Sequence, residues 1–400
     1  MSRNIGTMEI ILLGFILLGF LSCTEEQPST AATRAIGFDS YTAQAATRSD
    51  TRATRAAEEV LREIPVGSSI GIYAYYHNGP ARWSDAAQPD FMFNQQATNS
   101  YDGEAFVYSP LKYWPNESDD KISFIAYYPY SSAEAGVPES ASYSPATTGV
   151  TPLLANSGSG LPTFEFTVNP DVAKQTDFLV SDLLPNLPNG TASVYPSNTP
   201  DRDGLTVSDR VRLYFRHALA KVEFRIAIHP DIRPYFSKLK LNGMTMTDIK
   251  DKGTLTPSYA PATGTTLTWS DLSTTTAEAH AHTYAIDVKQ VYLMIPQTLT
   301  DDVQLTLDFE LTLKGYNSIY TYDASGNPVV NDIYTYKYPD ASVQLNRMKN
   351  TTTGAYVEQW EPNRHYVYTI RINANRIEYT GQVVDWGDEI PVTGITIEEP

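Results

Sequence analysis

One stretch limits the folds open to this chain more than any other: Val211 to Ile228, which reads VRLYFRHALAKVEFRIAI. Val211, Leu213 and Phe215 are apolar at odd positions, whereas Val222, Phe224, Ile226 and Ile228 are apolar at even ones. Alternation with period two marks a strand that buries one face. A strand does not exchange its faces without an inserted residue, so a bulge or corner is expected within His217 to Lys221. His229-Pro230 then closes the run, because proline lacks the N–H that a central strand contributes to its ladder.

The same period recurs along the chain. SIGIYAYYH (Ser69 to His77) places Ile70, Ile72, Ala74 and Tyr76 on one face, and TFEFTV (Thr163 to Val168) and TDFLVSDLL (Thr176 to Leu184) read as further strands. EAFVYSPLKYWPNESDDKISFIAYYPY (Glu104 to Tyr130) reads as two aromatic strands joined by a polar turn at Pro115 to Lys121. Beyond residue 230, KLKLNGM (Lys238 to Met244), AIDVKQVYLMIPQ (Ala285 to Gln297), VQLTLDFELTL (Val303 to Leu313) and HYVYTIRIN (His365 to Asn373) supply enough strands for a second sandwich. No helical period of useful length is present. The 27 Tyr, 14 Phe and 5 Trp beside 26 Pro and 23 Gly fit aromatic strands broken by many turns, so the fold class expected is all-β.

At 400 residues the chain exceeds one typical core, and two domains are expected on a scale of roughly 100 to 200 residues each. The boundary is placed at His229-Pro230, which gives 64–230 and 231–400 after a leader (1–22) and an N-terminal segment (23–63). The 46 acidic residues outnumber the 29 basic ones, a balance that argues against a nucleic-acid partner because no excess of Lys and Arg exists to displace counterions.

The sole cysteine, Cys23, has no intrachain partner for a disulfide. It follows Arg3 and the apolar run IILLGFILLGFL (Ile10 to Leu21), too short to span a hydrocarbon core of ~30 Å and of the length of a secretory signal. FLSC resembles the lipobox of bacterial lipoproteins, with Phe20 where Leu is usual. That resemblance implies cleavage before Cys23 and lipidation of its sulfur. TEEQ follows, and acidic residues there resemble the signal that sends Bacteroidetes lipoproteins to the outside of the outer membrane. Several acyl chains on one residue anchor stably where one does not. From Thr24 to Glu63 the composition is Ala, Thr, Ser and charge, except for AIGFDSY (Ala35 to Tyr41), in which Ile36 and Phe38 alternate with small or polar residues as a first strand. TRSDTRATRAA (Thr47 to Ala57) then carries Arg48, Arg52 and Arg55.

Catalytic and metal chemistry is not expected. Gly67-Ser68-Ser69-Ile70-Gly71 matches G-x-S-x-G, but that motif needs a helix after it, and an aromatic strand follows instead. DRDG (Asp201 to Gly204) opens like a calcium loop, yet Leu205 stands where an oxygen ligand belongs. His280 and His282 share a face without a third ligand, and His217 reads as a core histidine with a satisfied ring. No nucleophile, base and orienter assemble, and no cofactor is expected.

KYWPNESDDKISFIAYYPY, TDFLVSD, LYFRHALAKVEF and HYVYTIRI followed by VVDW, together with the lipoprotein start, resemble the fimbrillin family of the Bacteroidales, the subunits of type V pili. The resemblance runs from about Ala35 to Trp386. It implies two tandem transthyretin-like β-sandwich domains and export as a surface lipoprotein after the signal peptide. It further implies maturation by a trypsin-like, arginine-specific protease that clips a loop after the first strand. Arg48, Arg52 and Arg55 are then the cleavage candidates, in a small, polar segment of the kind where nicking concentrates. The alternative is a flexible tether that holds the domain clear of the membrane.

Cutting there has a physical consequence. Docking a strand of about eight residues contributes about four buried side chains at ~2 kcal/mol each and up to about eight backbone bonds at ~1 kcal/mol each. Ordering costs about 1 to 2 kcal/mol per residue and offsets most of that. Covalent attachment supplies an effective concentration on the order of millimolar, which cleavage removes. The vacated groove then invites strand addition by a neighbour.

In the family the donor strand comes from the C-terminus, which points to Thr393, Ile395 and Ile397 within Ile390 to Ile397. The shortness of that stretch, broken by Pro391 and Gly394, leaves open that it is the last strand of the second domain. The partners implied are other fimbrial subunits, the outer membrane through the lipid anchor, the arginine-specific protease and a host or bacterial surface ligand. The rival reading is a surface lipoprotein that binds glycans through exposed aromatics.

Overall fold

The computed structural model describes residues 35–42, 64–100, 106–132, 148–188, 210–274, 284–286, 288, 290–315, 321–329, 333–374 and 376–386. Their regular structure is nearly all strand, and the helical turns among them are short 3-10 turns at Val172–Lys174, Arg233–Tyr235 and Leu345–Arg347. No helix among the described residues is long and apolar enough to cross a membrane.

The first half comprises β1 (Gly37–Thr42), β2 (Ser69–His77), β3 (Met92–Asn99), β4 (Phe106–Val107), β5 (Lys121–Tyr128), β6 (Val150–Pro152), β7 (Phe164–Thr167), β8 (Leu179–Ser181), β9 (Leu184–Pro188) and β10 (Arg210–His217). Eight of these form one sheet in the order β1-β10-β8-β5-β2-β3-β4, with β9 paired to β5. Its inner face gathers Ile70, Ile72, Phe124, Val211, Leu213 and Phe215 into one core. Ile36 and Phe38 belong to the same core as Phe106 and Trp114, so the sheet curls until its first strand meets the segment after its last. The outer face is apolar too: Tyr73, Tyr75, Ile125 and Tyr127 pack in a second cluster with Phe164 and Phe166. Burial on both faces explains why β2 and β5 are buried almost throughout.

The rest of the chain forms β11 (Ala220–Ile228), β12 (Phe236–Thr247), β13 (Lys252–Ala260), β14 (Gly264–Ser273), β15 (Tyr284–Ala285), β16 (Val291–Met294), β17 (Gln304–Lys314), β18 (Thr321–Tyr322), β19 (Pro328–Val329), β20 (Ile333–Gln344), β21 (Lys349–Asn350), β22 (Arg364–Ile372) and β23 (Ile377–Asp385). One sheet runs β16-β11-β22-β23-β21 and another β15-β12-β17-β20, while β18 and β19 pair with each other. Val222, Phe224, Tyr368 and Ile370 of the former join Leu305, Leu307, Phe309 and Leu311 of the latter in the larger core. A fourth sheet, β14-β13-β7-β6, spans residue 230: Lys252 of β13 lies opposite Thr167 of β7.

Alternation and topology meet at the corner. The strand run breaks at Ala218 and Leu219, between β10 and β11. Val211, Leu213 and Phe215 point into the first core, whereas Val222, Phe224 and Ile226 point into the second. The change of parity is therefore a change of sheet.

Two expectations give way. Residues 104–130 do not form a hairpin: β4 pairs with β3 and β5 with β2. Pro110 and Pro115 bring no N–H to a ladder, and the intervening segment turns to Ile36 instead. Residues 285–297 do not form one strand, because β15 and β16 pair in different sheets. The β13–β14 hairpin was not legible as such; its turn needs Gly264 at φ 75°, a left-handed backbone that glycine adopts without strain.

Candidate functional site

β1 lies at the edge of the eight-stranded sheet, parallel to β10, with Phe38 opposite Val211 and Thr42 opposite Phe215. Its start is also held from the other side. The Ile36 N–H donates to the Lys112 carbonyl at 2.9 Å, Ala35 bridges Tyr113, and the Tyr108 hydroxyl donates to the Ile36 carbonyl at 2.7 Å. Burial pushes the Tyr108 hydroxyl above its ordinary pKa, so it stays a neutral donor.

Between these walls Ile36 and Phe38 are 1% and 0% exposed. The Phe38 ring stands edge-on to Tyr108 at 5.6 Å and to Phe124 at 5.5 Å, and Trp114 meets Phe124 at 6.0 Å. On the outward side Asp39 lies 3.4 Å from Arg210, both partly exposed. Such a pair contributes ~0–1 kcal/mol and serves register more than stability. Withdrawing β1 would expose a groove lined by Tyr108, Trp114, Phe124, Val211, Leu213 and Phe215.

The sequence pointed to Ile36 and Phe38 but not to Tyr108, Trp114 or Phe124 as their neighbours. The signal was only the aromatic density of residues 106–128, which does not say what the rings enclose. Ile36 and Phe38 are the large apolar side chains buried in the described part of the strand. Cys23, Arg48, Arg52 and Arg55 lie outside the described residues, as do Thr393, Ile395, Ile397, Asp201 to Gly204, His280 and His282.

Two buried histidines elsewhere have partners within the body. His217 is 2% exposed, with Nδ1 2.5 Å from Asp177 Oδ2 and its ring stacked on Trp386 at 4.0 Å. His77 Nε2 lies 2.8 Å from Ser123 Oγ, which resembles half of a hydrolytic triad. Both are buried, though, and Ser123 Oγ also accepts the Asn186 N–H at 2.9 Å, so a substrate has no approach. Gly67 to Gly71 runs from a turn into β2 without a helix, and Ser69 Oγ pairs with Thr98 Oγ1 at 2.8 Å. No group of three potential metal ligands occurs among the described residues.

Of the tryptophans, Trp114, Trp360 and Trp386 are buried, while Tyr113, Tyr235, Tyr334 and Tyr356 are exposed.

One titrating contact gives a pH prediction. The hydrogen bond from His365, aided by Arg225, holds the Glu223 carboxyl down at about 2, against an ordinary value of 4.5. His365 Nε2 is 3.1 Å from Oε2 and Arg225 Nε is 2.6 Å from Oε1. A depressed carboxylate stabilises the fold fully above its unfolded pKa and loses that contribution as pH falls toward the folded one. Discounted for solvent, this amounts to about 1–2 kcal/mol lost between pH 4.5 and 2. Denaturant unfolding should therefore show Glu223→Gln less stable than the parent by that amount at pH 6 and equal to it near pH 2.

The family model described as fimbrillin-like matches residues 51–386. The fold is similar to the crystal structure of a fimbrial protein from Bacteroides vulgatus ATCC 8482, at 16% identity and a TM-score of 0.52, covering 88% of this chain and 99% of that one. It is also similar to a candidate cell adhesion protein from Bacteroides uniformis ATCC 8492, at 14% identity and a TM-score of 0.47, covering 90% and 100%. The comparison with curated proteins gives no match.

Proposed function

Since the chain belongs to the fimbrillin-like family, we propose that it is a non-enzymatic structural subunit of a surface fimbrium with an adhesive role. In this reading it is exported as a lipoprotein anchored through Cys23 to the outer membrane, and its two parts, divided near residue 230, are tandem transthyretin-like sandwiches. A trypsin-like protease cuts at Arg48, Arg52 or Arg55, β1 leaves, and a strand from a neighbouring subunit enters. Thr393, Ile395 and Ile397 belong to the strand this subunit donates in turn. A fimbrial protein and a candidate cell adhesion protein stand among the structural relatives, which supports the adhesive assembly.

The observation that carries the reading is the burial of Ile36 and Phe38 in a strand joined to the body by a stretch that contains all three arginines. The body next becomes described at Ile64, itself 2% exposed. The strand is held by Ile36 and Phe38, by its backbone pairing to β10 and by the tether. Cutting the tether removes an effective concentration on the order of millimolar and lets a rival strand compete.

Treating the purified precursor with trypsin, and separately with a protease that does not cut after arginine, tests this. Ordered oligomers should appear only with trypsin, and N-terminal mass analysis should find new ends after Arg48, Arg52 or Arg55. A chain cut completely at these sites that remains monomeric would sink the proposal.

A further inference from the structure

Beside the corner where the chain changes sheets lies a cavity of about 430 Å³, unconnected with the β1 groove. Phe166, Val168, Leu219 and Leu293 form its apolar floor, and Thr148 and Lys174 stand at its rim. It sits against β16, the edge strand of its sheet, where the Leu293 N–H donates to the Gln175 side-chain oxygen at 2.9 Å. That amide stands in for a missing neighbour strand, since a free edge N–H otherwise needs water or another chain.

The C-terminal segment departs nearby. Trp386 stacks on His217, two residues before the cavity-lining Leu219, and His217 contacts Asp177, which follows the lining residue Thr176. At this end of the sheet Leu293, Lys221, His365 and Val384 stand side by side on successive strands. Three strand spacings amount to about 14 Å. Four extended residues cover about 13–14 Å. The first large apolar residues at that reach are Ile390 and Val392. The segment is acidic at Asp388 and Glu389, and Lys221 lies on the way, while at the cavity itself Lys174 pairs with Asp171 at 2.9 Å and Glu165 also lines the wall.

We propose that the chain's own C-terminal segment folds back from Trp386 and seats Ile390 and Val392 in this cavity beside β16. The seat fixes the root of the segment against the body and leaves Thr393 onward to project. It goes beyond the fimbrial reading and does not depend on strand exchange.

The test uses the full uncut precursor with Cys23→Ser, Thr148→Cys and Ile390→Cys, treated in dilute solution with a short bismaleimide. The expected product is a crosslink within one molecule. Crosslinks only between molecules, or none, would overturn the proposal. Hydrogen exchange gives a second readout that does not depend on the cysteines. The Leu293 amide should exchange about tenfold faster in a chain ending at Trp386 than in the full chain, and equal rates would also overturn it. Because neither measurement involves cleavage or assembly, failure here leaves the fimbrial reading standing, and failure of assembly leaves this one.

Discussion

Phe38→Ala lowers the unfolding free energy by about 3–5 kcal/mol, the cost of deleting a fully buried phenyl ring and leaving its cavity. The ring is 0% exposed and contacts Tyr108 and Phe124 edge-on, so its removal forfeits both the burial and two oriented aromatic contacts. Backbone pairing to β10 survives, because a methyl group fits wherever a benzyl group did. The loss acts on docking of β1 rather than on the sheet beneath. After a cut in the 43–63 stretch, a deficit of 3 kcal/mol multiplies the fraction of molecules without β1 by about a hundred. Urea unfolding of the intact chain and gel filtration of the cut chain read these two effects. A stability change below about 1 kcal/mol would mean that Phe38 does not hold the strand, and the plug idea would lose its physical basis.

Trp269→Ala has an effect of similar size, at the place where the sheets join. Trp269 lies on β14, half-buried, and its indole N–H donates to the Ala218 carbonyl at 2.8 Å. Its ring lies 6.2 Å from Phe166 and 6.3 Å from Phe178, so one side chain touches β7, the approach to β8 and the corner between β10 and β11. Truncation costs about 2–4 kcal/mol of packing. The Ala218 carbonyl, on a residue with no exposed surface, also loses this donor, at about 1 kcal/mol or more. Trp269→Phe keeps most of the ring contact and loses only the hydrogen bond, so it should fall by about 1 kcal/mol. Denaturant unfolding of the two variants separates these contributions. Equal losses in both would show that packing at this corner is not what Trp269 supplies.

How much was legible depended on the strand. β10, β11, β17 and β22 announce themselves because each places apolar residues at every second position, a pattern written within the element itself. β13, β14 and β20 do not: stretches such as TTLTWSDLS fill their outward positions with Thr, Ser and Asp, and the alternation fades into loop composition. In β2 the sequence indicated the Ile70, Ile72 and Ala74 face but gave no sign that Tyr73 and Tyr75 are buried on the other. Tyrosine is equally at home half-wet, so its presence does not declare a face. For the candidate site, Ile36 and Phe38 stood out by alternation, while the rings around Phe38 lie far along the chain from it.

What the residues settle alone is local: which segments extend, which face of each is apolar, and that a corner must fall between Phe215 and Val222. These follow from backbone geometry that repeats every two residues. Only the tertiary structure decides that β1 pairs in parallel with β10, 173 positions later (Gly37 against Arg210), and that β13 crosses residue 230 to reach β7. Many strands present an edge and an apolar face of similar chemistry, so the choice of partner rests on how whole surfaces fit together once the chain has closed on itself.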